Sequence, residues 1–152
     1  MTEFTATKTG AVTGGVRLLL RAEGAALFLG PTLFYALADA PWGLYVLLFF
    51  VPDLGLLGYL LGPRLGAIIY NALHATIGPL LLALAGVLTV EPLAGAISLI
   101  WLAHIGFDRM LGFGLKYAEG FGFTHLGRIG RRKHAKPVAT ETLDPLPTET
   151  AA

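Results

Sequence analysis

Hydrophobic residues form four long blocks along this chain instead of recurring on one face of an amphipathic helix. The blocks cover residues 16–38, 42–61, 65–89 and 92–115, and each has about the 20 residues that an α-helix needs to cross a bilayer. Because apolar residues occupy all faces of these helices, the pattern favours membrane spans over a soluble bundle. It predicts an all-α fold, a four-helix transmembrane bundle.

Short links with helix-breaking residues separate the four blocks. They read "DAP" at 39–41, "GPR" at 62–64 and "EP" at 91–92. Links this short place consecutive helices side by side in opposite directions, so we expect up-down-up-down topology.

The segments outside the helices predict four divisions of the chain. Residues 1–15 are rich in Thr and Gly and lack the apolar core of a cleavable signal peptide, so we expect a flexible segment and a retained first helix. A transmembrane domain spans residues 16–117 and an interfacial segment residues 118–130. Residues 131–152 form a basic and then disordered tail. The basic stretch "RIGRRKHAK" suits anionic lipid head groups and also acts as a topology signal, which makes membrane lipids the expected partner.

The distribution of charge predicts how the bundle is oriented. Only 14% of residues are charged, against roughly 25% in an ordinary soluble domain. All 11 Lys and Arg residues lie on one side of a four-span arrangement, or in the helix halves nearest that side. They are Lys8, Arg17, Arg21, Arg64, Arg109, Lys116, Arg128, Arg131, Arg132, Lys133 and Lys136. The positive-inside rule then predicts a multi-pass protein of the bacterial inner membrane with both termini in the cytoplasm.

Ionisable residues inside the predicted helices share one depth. Counted from the cytoplasmic side at 1.5 Å per residue, they lie about 10–16 Å deep. The layer contains Glu23, Asp53, His74, His104 and Asp108, with Asn71 at the same level. His104 and Asp108 are four residues apart and share a helix face. An ionised Asp exposed to lipid at mid-bilayer costs about 2.5–3.5 kcal/mol, so we expect these groups to face the bundle interior.

The composition of this layer matches a metal site. Asp53, His74, His104 and Asp108 are a suitable ligand set for a divalent metal such as zinc, manganese or iron, which could activate water for hydrolysis. In that interpretation the catalytic candidates are Glu23, as a further ligand or general base, and Arg21 or Arg109, which would hold an anionic substrate group. His125 would close the layer as a lid or additional ligand, or else be a solvated interfacial histidine.

Other interpretations of the layer remain open. One is a structural polar network that locks helix packing in a non-catalytic membrane protein. Haem held by His74 and His104 is disfavoured because two carboxylates share the layer. A proton path is possible in principle, but the layer occupies one side only. The chain has no cysteine, its single serine, Ser98, has no His or Asp close to it in the sequence, and no nucleic-acid-binding module is present. Nothing in the sequence indicates the oligomeric state.

Several separated blocks of the sequence resemble a known family. They are "LLLRAEG", "PDLGLLGYLLGPRLGAIIYNALH" and "WLAHIGFDRMLGFGLKY" followed by "THLG", within residues 16–127. In this order they resemble a domain-of-unknown-function family of small bacterial four-helix membrane proteins. The resemblance implies a four-helix membrane fold and brings no activity with it. A looser similarity to membrane-bound metal-dependent hydrolases assigns no residue roles.

Overall fold

The computed structural model describes residues 11–129, apart from the side chain of Arg128, and confirms an all-α fold of four helical rods. The predictions for residues 1–10 and 130–152, including most of the basic stretch and the tail, lie outside the described residues. The helical elements are α1 (Gly14–Leu37), α2 (Trp42–Phe49), a 3-10 segment (Val51–Leu61), α3 (Pro63–His74), α4 (Ile77–Thr89) and α5 (Pro92–Leu111).

The second rod changes from α-helix to 3-10 helix at Pro52, where one continuous helix was expected. The 3-10 segment is unusually long at 11 residues. With three residues per turn, Pro52, Gly55 and Gly58 fall on one face, and all three are buried. This face packs against α3, where Cβ atoms on Gly55 and Gly58 would meet Leu73 and Ile69.

The third rod is interrupted in the middle, which the hydrophobic pattern did not predict. Helix α3 ends at His74 because Ala75 is extended, with ψ of 136°, and two residues separate His74 from the start of α4 at Ile77. The indole N–H of Trp101 donates a 2.6 Å hydrogen bond to the Leu73 carbonyl beside this break. A carbonyl freed by the end of the helix is thereby satisfied.

Helix α5 lies at the centre of the bundle and packs against α1, α2 and α4. Gly24 of α1 meets the backbone of Arg109 and Met110, while Gly106 of α5 meets the backbone of Leu27 and Phe28. Later residues of α1 thus contact earlier residues of α5, so the two helices are antiparallel. Glycines at both contacts let the two backbones approach closely.

The chain leaves α5 through a glycine and forms a small cap. Gly112 adopts φ of +95°, a conformation suited to glycine, and α5 ends at Leu111, four residues before the predicted end. Residues Phe123–Thr124 and Gly127–Arg128 then pair as a two-stranded antiparallel hairpin. The Val12 amide donates to the His125 carbonyl, which ties the hairpin to the start of α1.

Buried and exposed residues are distributed unlike those of a soluble domain. Most large aliphatic side chains of the rods are exposed, whereas His74, His104, Lys116 and Thr124 are buried. Trp42–Leu61 and Pro63–Thr89 are long and apolar enough to cross a membrane, yet only 28% and 17% of their most apolar windows are buried in the fold. The core helix of a soluble protein would be mostly buried, so these two stretches present apolar surface to the surroundings.

Candidate functional site

Three rods bring two histidines and two aspartates together in what we call the His/Asp cluster: Asp53, His74, His104 and Asp108. Asp53 lies in the first turn of the 3-10 segment, and the small residues of that segment let it approach α3. His74 is the last residue of α3. His104 and Asp108 come from one face of α5, as their four-residue spacing predicts.

The ligating atoms of the cluster converge on a small volume. Nε2 of His104 lies 3.1 Å from Nε2 of His74. Oδ1 of Asp53 is 3.6 Å from each of these nitrogens, and Oδ2 of Asp108 is 3.5 Å from Nε2 of His74. One such atom from each of the four residues can be chosen so that all lie within 4.8 Å of one another. The histidine side chains are 1–4% exposed, whereas that of Asp53 is 38% exposed and provides access from outside.

Tyr70 organises the cluster from α3, although the sequence-based prediction of the site did not include it. Its hydroxyl donates a 2.8 Å hydrogen bond to Oδ2 of Asp108, and its ring stacks on that of His74 at 3.7 Å. Its carbonyl lies 2.9 Å from Nδ1 of His74, so this nitrogen carries the proton and donates. The spacing of "YNALH" could have revealed Tyr70, because residues 70 and 74 share a helix face.

This tautomer leaves the cluster rich in electron pairs. With Nδ1 protonated, neutral His74 directs the Nε2 lone pair towards the two carboxylates. Within the described residues, the hydrogens pointing into this group come from Tyr70 and, in one tautomer, His104. The contacts of 3.5–3.6 Å are longer than hydrogen bonds. A cation bound among these atoms would satisfy them together, and the four residues could hold a metal ion.

Lys116, which the sequence-based prediction also left out, supplies a buried positive charge near the cluster. Its ammonium group lies 4.9 Å from the centre of the Tyr70 ring and donates to the Phe121 carbonyl. Burial lowers the pKa of Lys116, and the carboxylates of Asp108 and Asp53 oppose that effect. One ammonium offsets only one of two carboxylates, so the cluster retains the capacity for a further cation.

Asn71 and His125 hold the segment after α5 in place. The Asn71 side-chain amide donates to the Lys116 carbonyl at 2.8 Å and accepts from the Lys116 amide at 2.7 Å. The Leu115 amide donates to Nδ1 of His125 at 2.9 Å. Burial lowers the pKa of His125, and the positive charge of Arg109 acts in the same direction. The described contacts of both residues are thus with backbone rather than with the cluster.

The three residues predicted to be catalytic are not grouped around the cluster. Glu23 and Arg109 line a separate cavity of about 360 Å³, together with His125. Glu23 is exposed, so the prediction that it faces the bundle interior is wrong. Arg109 also borders a space of about 10 Å³ beside Tyr70, His74 and Asp108, so it touches both regions. Arg21 is exposed and donates from Nε to the Met110 carbonyl at 2.8 Å. The catalytic roles of all three stay predictions.

The second, third and fourth rods also form an apolar groove of about 240 Å³. It is lined by Leu48, Val51, Pro52, Leu73, Ile97, Ile100 and Trp101. Pro52 directly precedes Asp53, and Leu73 directly precedes His74. The groove and the cluster therefore use the same two stretches of backbone, with consecutive side chains pointing in different directions.

Comparison with protein families places this arrangement in a known group. Residues 17–129 match the family described as a domain of unknown function, DUF4260. The chain belongs to the DUF4260 family. All four cluster residues, with Tyr70 and Lys116, lie inside the matched region, so the DUF4260 domain contains the complete cluster. Comparisons with curated proteins and with solved structures find no match to this chain.

Proposed function

We propose that this chain is a multi-pass membrane protein that binds a divalent transition metal in the His/Asp cluster and acts as a metal-dependent hydrolase on a lipid or other amphiphile. The observation that carries the proposal is the convergence of two imidazoles and two carboxylates, with ligating atoms within 4.8 Å of one another. Imidazole and carboxylate together suit zinc, manganese or iron.

The spacing of the potential ligands fits such an ion. Metal–ligand bonds of about 2.0–2.2 Å place tetrahedral ligands roughly 3.3–3.6 Å apart. The measured separations among His74, His104 and Asp53 are 3.1–3.6 Å. Small side-chain shifts would complete the geometry. A bound divalent ion would also offset the excess negative charge that Lys116 leaves uncompensated.

The chain's own residues would prepare the site for hydrolysis. Tyr70 fixes the tautomer of His74 through its carbonyl and holds Asp108 through its hydroxyl. The partly exposed Asp53 leaves an approach for substrate, and the apolar groove that begins at the preceding residue, Pro52, would accept an acyl chain. Asp53, His74, His104 and Asp108 would hold the metal, which would supply the means to activate water for hydrolysis at neutral pH.

The membrane location is supported by the distribution of apolar surface. Exposed Leu, Val, Ile and Phe side chains cover the rods, while the polar side chains of His74 and His104 lie inside. Water would penalise such a surface, whereas lipid would not. With the Lys and Arg distribution, this supports four spans with both termini in the cytoplasm of a bacterial cell.

A structural role for the polar layer is the second candidate. The Tyr70–Asp108 hydrogen bond and the His74–His104 contact already join α3 to α5 without a metal. In that case the layer would stabilise helix packing, and the protein would have no hydrolytic activity.

Metal analysis of the full-length protein in mild detergent separates the two candidates. We expect near-stoichiometric metal in the wild type and its loss in His74→Ala and His104→Ala. His125→Ala is the matched control, since it removes a histidine outside the cluster and is expected to retain the metal. A wild-type protein without metal, which takes up none from zinc or manganese solutions, would contradict the proposal. Unfolding of metal-free Asp108→Asn would then favour the structural role.

A further inference from the structure

The cavity that contains Glu23, Arg109 and His125, here the Arg109 cavity, is formed by α1, α4, α5 and the C-terminal hairpin. Its volume of about 360 Å³ is within the range of small-molecule sites. It is lined by Leu20, Glu23, Gly24, Leu27, Thr76, Leu80, Leu102, Arg109, His125 and Leu126. The polar groups in this set are few, and the rest of the lining is apolar.

The guanidinium of Arg109 lacks a partner in the part of the chain that the structure describes. Between residues 11 and 129 it makes no hydrogen bond, and no carboxylate lies within 4.0 Å of it. Glu23 attracts it electrostatically from farther away, and His125 lies close enough to feel its charge. A half-buried guanidinium has five N–H donors in a planar fork that fits the oxygens of a phosphate or carboxylate. The cavity therefore offers an oxyanion a strong partner.

The apolar lining indicates what the oxyanion is attached to. Leu20, Leu27, Leu80 and Leu102 come from the three helices that surround the charged groups. A free anion would gain nothing from this surface, whereas an alkyl chain would. Glu23 adds an acceptor that suits a hydroxyl or ammonium group on the same ligand.

We propose that the Arg109 cavity binds the head group of an amphiphile that carries an oxyanion and a hydrogen-bond donor, with Arg109 holding the oxyanion. This inference rests on the membrane location in the proposed function and not on the metal. Arg109 follows Asp108 and also borders the small space beside His74, so this one residue links the cavity to the edge of the His/Asp cluster. An oxyanion held by Arg109 would restrict the proposed substrates to anionic amphiphiles.

Native mass spectrometry of the full-length protein in neutral detergent tests the proposal. The probe is phosphatidylglycerol, which has a phosphate and hydroxyl donors, and phosphatidylcholine is the comparison lipid without such donors. We expect one tightly bound phosphatidylglycerol and a loss of about tenfold or more in affinity in Arg109→Gln, because charge-assisted hydrogen bonds are removed. Leu80→Trp, which fills the cavity and keeps the charge, should have a similar effect and guards against a variant that fails to fold.

Two control variants make the outcomes distinct. Arg64→Gln removes an exposed arginine that does not line the Arg109 cavity, and it should leave lipid binding unchanged. His74→Ala should lose metal and still bind the lipid, so failure of the metal proposal and failure of this one are distinguishable. Equal binding of both lipids, or equal loss in Arg64→Gln, would overturn the proposal. Displacement of the lipid by millimolar inorganic phosphate would reassign the cavity to a free anion and overturn the amphiphile.

Discussion

The His/Asp cluster and the aromatic core of the bundle lie on adjacent turns of α5 but are assembled from opposite kinds of side chain. The aromatic core comprises Tyr35, Tyr45, Phe49, Ile100 and Ala103. Its rings pack at centroid distances such as 5.1 Å for Tyr35 and Tyr45, and 5.5 Å for Tyr45 and Phe49. The ring of Phe49 also packs edge-to-face against that of His104, with ring centroids 5.4 Å apart, so the two regions meet directly.

The two regions differ in what completes them. In the aromatic core the polar ends find partners within the chain, as when the Tyr35 hydroxyl donates to the Pro41 carbonyl at 2.7 Å. In the His/Asp cluster several acceptors face one another, and Nδ1 of buried His104 has no hydrogen-bond partner in the described part of the protein. Native cores normally satisfy their buried polar groups, so an incompletely satisfied cluster beside a satisfied core supports the metal binding proposed above.

The largest expected effect comes from Gly106, on which both regions depend. A Cβ there would come within 2.3–2.4 Å of backbone atoms of Leu27 and Phe28, and backbone cannot yield as a side chain can. We expect Gly106→Ala to lower the free energy of unfolding by about 3 kcal/mol, at the upper end for overpacking. Gly95→Ala on the same helix is the control, since a Cβ there meets nothing within 4 Å. Unfolding in detergent measures both, and equal stability of the two variants would contradict the close α1–α5 contact.

Removing one tyrosine hydroxyl from each region compares the two directly. Tyr70→Phe removes the hydrogen bond to Asp108, and loss of such a supporting partner typically costs 10–100-fold in metal affinity. Tyr35→Phe removes the bond to Pro41 and should lower stability by about 1 kcal/mol with unchanged metal affinity.

Competition with a zinc chelator gives the affinities, and thermal unfolding gives the stabilities. If both variants bound metal as the wild type does, Tyr70 would have no part in orienting a ligand, and the hydroxyls of the two regions would be equivalent.

The sequence predicted the depth of each polar residue and an inward-facing side chain, but not which neighbouring helix the side chain would meet. The predicted depth was the same for Asp53, His74, His104 and Asp108, and the structure brings these four residues together. Depth also placed Glu23 at that level. However, α1 packs against α5 near Gly106 and Met110. At 100° per residue, these two positions lie roughly 160–240° around α5 from the face that carries His104 and Asp108. Glu23 therefore enters the Arg109 cavity on another side of α5. Helix neighbours set this angle, and hydropathy contains no information about them.

The irregular backbone was likewise beyond the hydrophobic pattern. A 3-10 segment and an α-helix have the same apolar composition, so "VPDLGLLGYLL" predicted a span without revealing its geometry. The break at Ala75 lies four residues before Pro79, whose ring would clash with the Ala75 carbonyl in a continuous helix, so the signal came from proline and not from hydropathy. The hairpin that buries Lys116 depends on contacts with Asn71, 45 residues earlier in the chain. Such long-range pairing leaves no local signal.

The smallest expected effect concerns pH and the hairpin that follows α5. Burial, with Arg109 acting in the same direction, lowers the pKa of His125, so the unfolded chain binds its proton more readily than the folded one. The contribution of neutral His125 to the free energy of unfolding is complete above the ordinary histidine pKa of about 6.5. It is lost as the pH falls towards the lower pKa that His125 has in the folded protein. Protonation also breaks the 2.9 Å hydrogen bond from the Leu115 amide, which is worth about 1 kcal/mol.

His125→Asn isolates this contribution from the histidines of the cluster. An asparagine oxygen can accept from the Leu115 amide and does not titrate, so we expect a smaller fall in melting temperature between pH 7 and pH 5 than in the wild type. The measurement is thermal unfolding of both proteins in detergent at each pH, with chelator present so that metal release does not contribute. Parallel pH profiles would show that His125 does not titrate in this window, and the acid sensitivity of the protein would then belong to the His/Asp cluster alone.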